Sequence, residues 1–289
     1  MALVVGAHAQ NLSLSVLSRR ADKVEALRNA GLEFFVYDAG SQTIPLLKAG
    51  VLHLVGTGAT PPILAEAQGL PSAVFGVSGP RHENGGLLVR GDSDIRSLSD
   101  LRGRGIGLMP ISWHTQFLAA ELDAAGIAWN EVNAAEIIPA TARDSFLQRR
   151  LDAIVATDPL YSKIAARVPV RILAAPGQAF SNRSVYWARR ETLRDHPDLV
   201  RLLLDALIDS DRRTLENPRE AASLLDGLNG NSSVEWLPAI SSRPWGVEPP
   251  GAEFVTEQQA HANIFAKFGL IPRPIDATPT ANATFLAAA

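Results

Sequence analysis

Cysteine is absent from this chain of 289 residues. Disulfides, thiolate nucleophiles and cysteine-bound zinc or iron–sulfur centres are therefore excluded. Charged residues are scarce at 20%, and the balance of 27 Lys plus Arg against 30 Asp plus Glu leaves a net charge of only −3. No long basic cluster stands out, which excludes nucleic acid as the main partner. No apolar run reaches the roughly 18 residues of a membrane-spanning helix. The six histidines, His8, His53, His82, His114, His196 and His261, show no metal-binding spacing. The Gly-x-Ser-x-Gly of a serine hydrolase is missing too. There is no internal repeat and no low-complexity stretch. No cofactor or metal is called for.

What is present is a chain 46% hydrophobic, too apolar for a disordered protein and long enough for one large or two modest domains. Its start, Met1-Ala-Leu-Val-Val5 followed by Gly6-Ala-His-Ala-Gln10, reads as a first strand and its loop rather than a secretory leader. Two expectations follow. Either a leader has been trimmed and the chain works in the periplasm or another extracytoplasmic space, or Met1 is native and it works in the cytoplasm. Short apolar runs at 3–5, 33–37, 52–55 and 73–77 alternate with helical spacing at 21–29 and 41–49. A second series places strands at 87–89, 105–108, 136–138, 153–156, 170–174 and 185–188, with helices at 113–125, 140–150 and 159–166. Such alternation predicts parallel βαβ units in an α/β fold. From Glu191 the pattern is helical, with Pro197 and Pro218 at helix starts and Gly269 as a stop after 253–268.

The expected organisation is two lobes, residues 1–88 plus 190–289 and residues 89–189, hinged near 88–92 and 184–190. Ligands of such sheets bind beyond the carboxyl ends of strands, and three post-strand segments carry chemistry there. In Gly56-Thr57-Gly58-Ala59-Thr60-Pro61-Pro62, two glycines admit close backbone approach, and a helix start behind them favours an anion. The third glycine of a dinucleotide fingerprint and the Gly-Lys-Ser/Thr of a P-loop are both missing. In Ser112-Trp113-His114, Ser112 caps a helix, Trp113 can wall a pocket and His114 can donate a hydrogen bond. In Thr157-Asp158-Pro159, the carboxylate either caps a helix or meets a substrate amine. For Thr60, Ser112 and Asp158 the plain alternative is a cap, and for Trp113 a core position. His8, His82 and His114 lie in loops that reach the same region.

Taken together, Gly56-Thr-Gly-Ala-Thr-Pro-Pro-Ile63, Ser99-Asp-Leu-Arg-Gly-Arg-Gly-Ile-Gly107 and Asp152-Ala-Ile-Val-Ala-Thr-Asp-Pro159 resemble the aliphatic-sulfonate-binding family. Its members are the substrate-binding proteins of ABC importers, close to the taurine- and nitrate-binding proteins. Arg243-Pro-Trp-Gly-Val247, Glu257-Gln-Gln259 and Gly269-Leu-Ile-Pro-Arg-Pro-Ile-Asp276 extend the likeness across nearly the whole chain, in order. The resemblance implies a two-lobed type II periplasmic-binding-protein fold with a helical C-terminal segment. It implies a small organic anion, such as an alkanesulfonate or taurine-like compound, as ligand, and an ABC permease as partner. It places Gln10 or its neighbours, Thr57, Gly58, Thr60, Ser112, His114, Asp158 and Trp245 around the cleft. Trp113 joins them as the pocket wall read above, and the two strand–helix junctions put the anionic head near Thr57 and Ser112.

The chain departs from that pattern at Ile111 and Trp113, where the family often has small residues or serine. It departs again at Thr157, where an aromatic residue is common, and at His8. A related branch of the fold, the aromatic-sulfinate desulfinases and thiamine-precursor synthases, is enzymatic. The desulfinases use a cysteine in the first loop, where this chain has Ala7-His8-Ala9-Gln10. A second reading therefore stays open: a leaderless intracellular lyase or hydrolase using His8, assisted by His114 and Asp158.

Overall fold

A computed structural model describes residues 2–81, 84–177 and 180–280. In chain order the elements are β1 (Leu3–His8), α1 (Leu12–Leu17), α2 (Ala21–Asn29), β2 (Leu32–Tyr37), α3 (Thr43–Lys48), β3 (Leu54–Gly58), α4 (Thr60–Ala67) and β4 (Ser72–Val77). Then come β5 (Gly85–Arg90), β6 (Gly105–Leu108), α5 (Trp113–Ala124), β7 (Asn133–Glu136), α6 (Pro139–Leu147), β8 (Ala153–Thr157), α7 (Leu160–Ala165) and β9 (Val170–Ala174). The chain closes with β10 (Ser184–Arg189), α8 (Arg190–Asp195), α9 (Pro197–Glu216), α10 (Pro218–Leu224), α11 (Ser233–Ser241) and α12 (Ala252–Lys267).

The strands form two five-stranded sheets, ordered β2-β1-β3-β10-β4 and β7-β6-β8-β5-β9. In the first, β1 pairs in parallel with β2 and β3, while β10 runs antiparallel to β3 and β4. The second repeats this plan with β6 between β7 and β8, and with β5 antiparallel to β8 and β9. The fold is thus α/β with two mixed sheets, and in each the fourth strand adjoins a crossing. β10 enters the first sheet on the return, and β5 opens the second. This shifts the boundaries read from the sequence. Residues 85–88 pair inside the second sheet and residues 184–189 inside the first, so the crossings lie between Val77 and Gly85 and between Ala174 and Ser184. Antiparallel pairing with distant strands decides this, and no local pattern reports it.

The helices follow from capping and apolar spacing. Asn11 opens α1 by accepting the Leu14 N–H (3.1 Å), a short helix that the sequence reading passed over, as it did α11. Pro197 sits at the start of the 20-residue α9, whose Val200, Leu203, Leu204 and Leu207 pack on Val5, Phe75 and Tyr186 of the first sheet. α12 ends before Gly269, which takes φ 69°, as a residue past a helix end commonly does. Its Ala262 and Phe265 share one apolar cluster with Ile63 of α4, on the first half, and Ala119 of α5, on the second. α12 therefore grips both halves. Among the described residues no helix is long and apolar enough to cross a membrane.

Two glycines enforce the outward crossing. Gly85 and Gly86 open β5 with φ 105° and 147°, and a Cβ at either would lie 2.2 Å from a carbonyl oxygen, of Ala156 and Ala174 respectively. Gly86→Ala is expected to destabilise the fold by about 2–5 kcal/mol, summing backbone strain and overpacking. Equilibrium urea unfolding checks this; a change below about 1 kcal/mol would show that β5 tolerates a side chain there.

Candidate functional site

The strands that end toward the other half do so at Gly58 on the first sheet and at Leu108 and Thr157 on the second. Gly58 and Trp113 touch: a Cβ at Gly58 would lie 3.1 Å from Trp113 Cβ. Beside them the Thr60 hydroxyl, fully buried, lies 2.9 Å from the Ser112 carbonyl and 2.9 Å from Gln116 Oε1. Thr60 is thus a tie between the halves rather than a cap. Thr57 is also committed within the protein. Its Oγ1 accepts from the Trp187 indole N–H (2.9 Å) and donates to the Gly58 carbonyl (2.7 Å).

Ser112 and Asp158 both act as local caps. Ser112 Oγ accepts the His114 N–H (3.2 Å) and donates to the Met109 carbonyl (2.8 Å), fixing the start of α5. One Asp158 carboxylate oxygen accepts from the backbone and side chain of Ser162, and the other from Asn84 Nδ2 (3.0 Å). Trp113 is half-buried, its ring stacked at 6.2 Å on Phe180 and met edge-on by His114 at 4.4 Å. Across the cleft, Gln10 Oε1 accepts the Gly40 N–H (3.3 Å) and meets His8 Nδ1 (2.7 Å). Trp245 is half-buried, donates to the Ile240 carbonyl (2.8 Å) and carries Arg243 over its ring at 5.9 Å. His82 lies outside the described residues.

The electrostatics differ from the sequence expectation in two ways. α4 opens with Thr60-Pro61-Pro62, and two of these three residues have no N–H, so its end keeps a positive dipole but few donors. The loop histidines are also sealed in. His8 is 3% exposed and His114 2%, and burial drives their pKa values down to about 4 and about 3. His8 Nε2 lies 3.0 Å from the Gly56 carbonyl, and His114 Nδ1 accepts the Met109 N–H (3.3 Å). Burial thus disfavours the charged imidazolium form of both rings.

Several participants escaped the sequence reading. Asp211 of α9, buried and raised to about 7 chiefly by desolvation, accepts from Ser13 Oγ (3.1 Å) and from the Gly246 N–H (3.1 Å) beside Trp245. Ile111 takes φ 50° just before Ser112, a conformation rare for a β-branched residue. Gln116 and Gln258 line the seam between the halves. Of these only Ile111 stands out in the sequence, as a departure from the resembled family, and nothing there reports its left-handed backbone. A cavity of about 270 Å³ lined by Arg90, Asp92, Ser93, Asp94, Arg149, Leu151 and Asp152 lies at the other end of the second sheet. Arg90 pairs with Asp92 there at 3.2 Å. Among the described residues no metal-binding group of three His, Asp or Glu side chains is assembled.

Two facing α/β sheets with loops meeting at the ends of parallel strands define the periplasmic-binding-protein scaffold. The sequence profile of the family described as NMT1/THI5 like matches residues 28–221, more than half of the chain, and the chain belongs to that family. A protein of Escherichia coli (strain K12) named for binding aliphatic sulfonates is 27% identical over 241 residues, which span 83% of this chain and 76% of that one. The crystal structure of the periplasmic aliphatic sulphonate binding protein from Escherichia coli superposes with a TM-score of 0.85 at 25% identity, covering 97% of this chain and 92% of its own. The alkanesulfonate-binding protein of Xanthomonas axonopodis pv. citri, solved bound to MOPS, has a TM-score of 0.85 at 24% identity and covers 96% of both chains.

The buried rings give the molecule a signed pH dependence. His8, His114 and His261, the last lowered to about 4, are all depressed from 6.5. Below pH 6.5 the unfolded chain takes up protons that the folded one refuses, so stability is lost on acidification toward pH 4. Asp211 opposes this, because its raised pKa lets the folded state hold a proton between 7 and 3.8 that the unfolded state has shed. The three imidazoles outweigh the one carboxyl, so the net effect is a loss of stability as the pH falls. Urea midpoints are expected to fall steadily from pH 6.5 to 4.5, with a shallower slope in His114→Gln. An unchanged slope in that variant would mean His114 titrates normally.

Proposed function

We propose that this chain is the substrate-binding component of an ABC importer, taking an alkanesulfonate or closely related small organic anion on the extracytoplasmic side. The observation that carries this is the near-complete superposition on a sulphonate-binding protein at 25% identity. The order of its post-strand motifs supports the same reading. The permease would be its protein partner, and neither cofactor nor metal is required.

In this reading the first sheet with the C-terminal helices forms one lobe and the second sheet the other, moving about the two crossings. The ligand lies beside the Gly58–Trp113 contact, within reach of Gln10, Ser112, Asp158 and Trp245. Thr57, Thr60 and His114 shape this wall from behind, their polar atoms being engaged inside the protein. The dipole of the 12-residue α5 points its positive end at the head group. The sealed, weakly basic state of His8 and His114 favours binding over proton-transfer catalysis.

A thermal-shift panel of alkanesulfonates, sulfinates, carboxylates, sulfate and nitrate tests this. At a concentration 100 times its dissociation constant, a true ligand adds about 2.7 kcal/mol. At least one sulfonate is expected to stabilise the protein, and mass spectrometry should recover it unaltered. Stabilisation by carboxylates alone, or turnover of the bound compound, would overturn the assignment. Gly58→Ala would thrust a methyl group at Trp113 and hold the halves apart, so sulfonate affinity should fall about 5- to 100-fold. An unaffected affinity would place the ligand elsewhere.

A further inference from the structure

Where the chain returns to the first sheet, residues 181–183 pass between α5 and α12. Three amide side chains converge there, Gln116 and Asn182 at 0% exposure and Gln258 at 1%. Each is anchored at one end. Gln116 Oε1 meets the Thr60 hydroxyl at 2.9 Å, Asn182 Oδ1 accepts from Arg81 Nη2 at 2.9 Å, and Gln258 Nε2 donates to the Ala59 carbonyl at 2.9 Å. The opposite ends, Gln116 Nε2, Asn182 Nδ2 and Gln258 Oε1, have no protein partner. Buried amide groups are almost always hydrogen-bonded, yet three unpartnered ones line a single cavity of about 10 Å³. That is room for the centre of one water-sized guest.

The chemistry of the lining selects the guest. The unpaired groups of these lining residues are two N–H donors and one carbonyl acceptor. A halide would face the Gln258 oxygen, and a metal cation or ammonium would face two N–H groups. Water alone among small species accepts from both donors and donates to the acceptor. Two of the three amides have fixed orientations, since Ala59 offers an acceptor and Arg81 a donor. If the Gln116 amide were turned over, its nitrogen would donate to Thr60 and its oxygen would take the second proton of the same water. The charged residues of the lining, Arg183 and Glu257, satisfy one another at 2.8 Å and 3.0 Å.

We propose that this cavity is a resident-water site joining α5 of one half to α12 and the returning crossing of the other. The seam beside the hinge is then wet at one fixed point. Relative motion of the halves would exchange that water rather than break direct amide–amide bonds.

A high-resolution crystal structure of the wild-type protein, with a second crystal soaked in bromide, decides this. The expected result is one water peak about 2.7–3.2 Å from both Asn182 Nδ2 and Gln258 Oε1, with no anomalous signal. An empty cavity, direct bonds between the amides, or a bromide peak would overturn the proposal. A cycle of Gln116→Leu and Gln258→Leu supplies an independent readout, because these side chains share no direct bond. Each alone should raise the unfolding constant roughly tenfold, and the two together by clearly less than the product. A full product would mean that no shared guest couples them.

Discussion

The architecture turns on one close approach, that of the β3–α4 junction to the β6–α5 junction. Gly58 has no side chain, so Trp113 can enter its space. The tryptophan ring then stacks on Phe180, which stands edge-on to His261 of α12 at 5.4 Å. One missing methyl group thus aligns the end of a strand, the start of a helix, a chain crossing and the helix that clamps both halves. Thr60 locks the same junction with its hydroxyl. A side chain at position 58 would act on all of these at once.

That approach explains why polar groups around the cleft are so often spent internally. Two halves that meet at the ends of their strands must satisfy every donor and acceptor they bury there. Thr57 answers Trp187, Ser112 answers Met109 and His114, and Gln10 answers Gly40 and His8. His8 and His114 stay uncharged because the same closure strips water from them. Asp211 extends this design one layer down, bracing Ser13 behind the first loop and Gly246 beside Trp245.

How much of this was legible depends on the range of the interaction. The βαβ alternation, the start of α9 at Pro197 and the stop at Gly269 are local and read correctly. So do the local bonds of Ser112 to His114 and of Asp158 to Ser162, within four residues, whereas the Asn84 partner of Asp158 lies 74 residues away. The partners of Thr57 and Thr60 lie 130 and more than 50 residues away, and no spacing rule points to them. The lobe boundaries shifted for the same reason, since an antiparallel strand in fourth place looks like any other apolar run. α1 runs Leu12-Ser-Leu-Ser-Val-Leu17, an alternation of apolar residues and serine that carries no helical spacing.

The donors left over bear on what the cleft can hold. At α4 the prolines at 61 and 62 remove N–H groups, while the dipole of the helix survives. At α5 the Ser112 side chain and carbonyl engage the His114 and Thr115 N–H groups. Positive potential remains, but the strong, directed donors are few. A compact dianion stripped of water needs many short hydrogen bonds to repay its desolvation. A sulfonate spreads a single charge over three weakly basic oxygens and needs fewer. In the proposed reading, the same economy of donors that lets the two junctions touch suits a diffuse monoanion better than phosphate or sulfate. Specificity would then rest on helix-end field and on the shape set by Trp113 and Trp245.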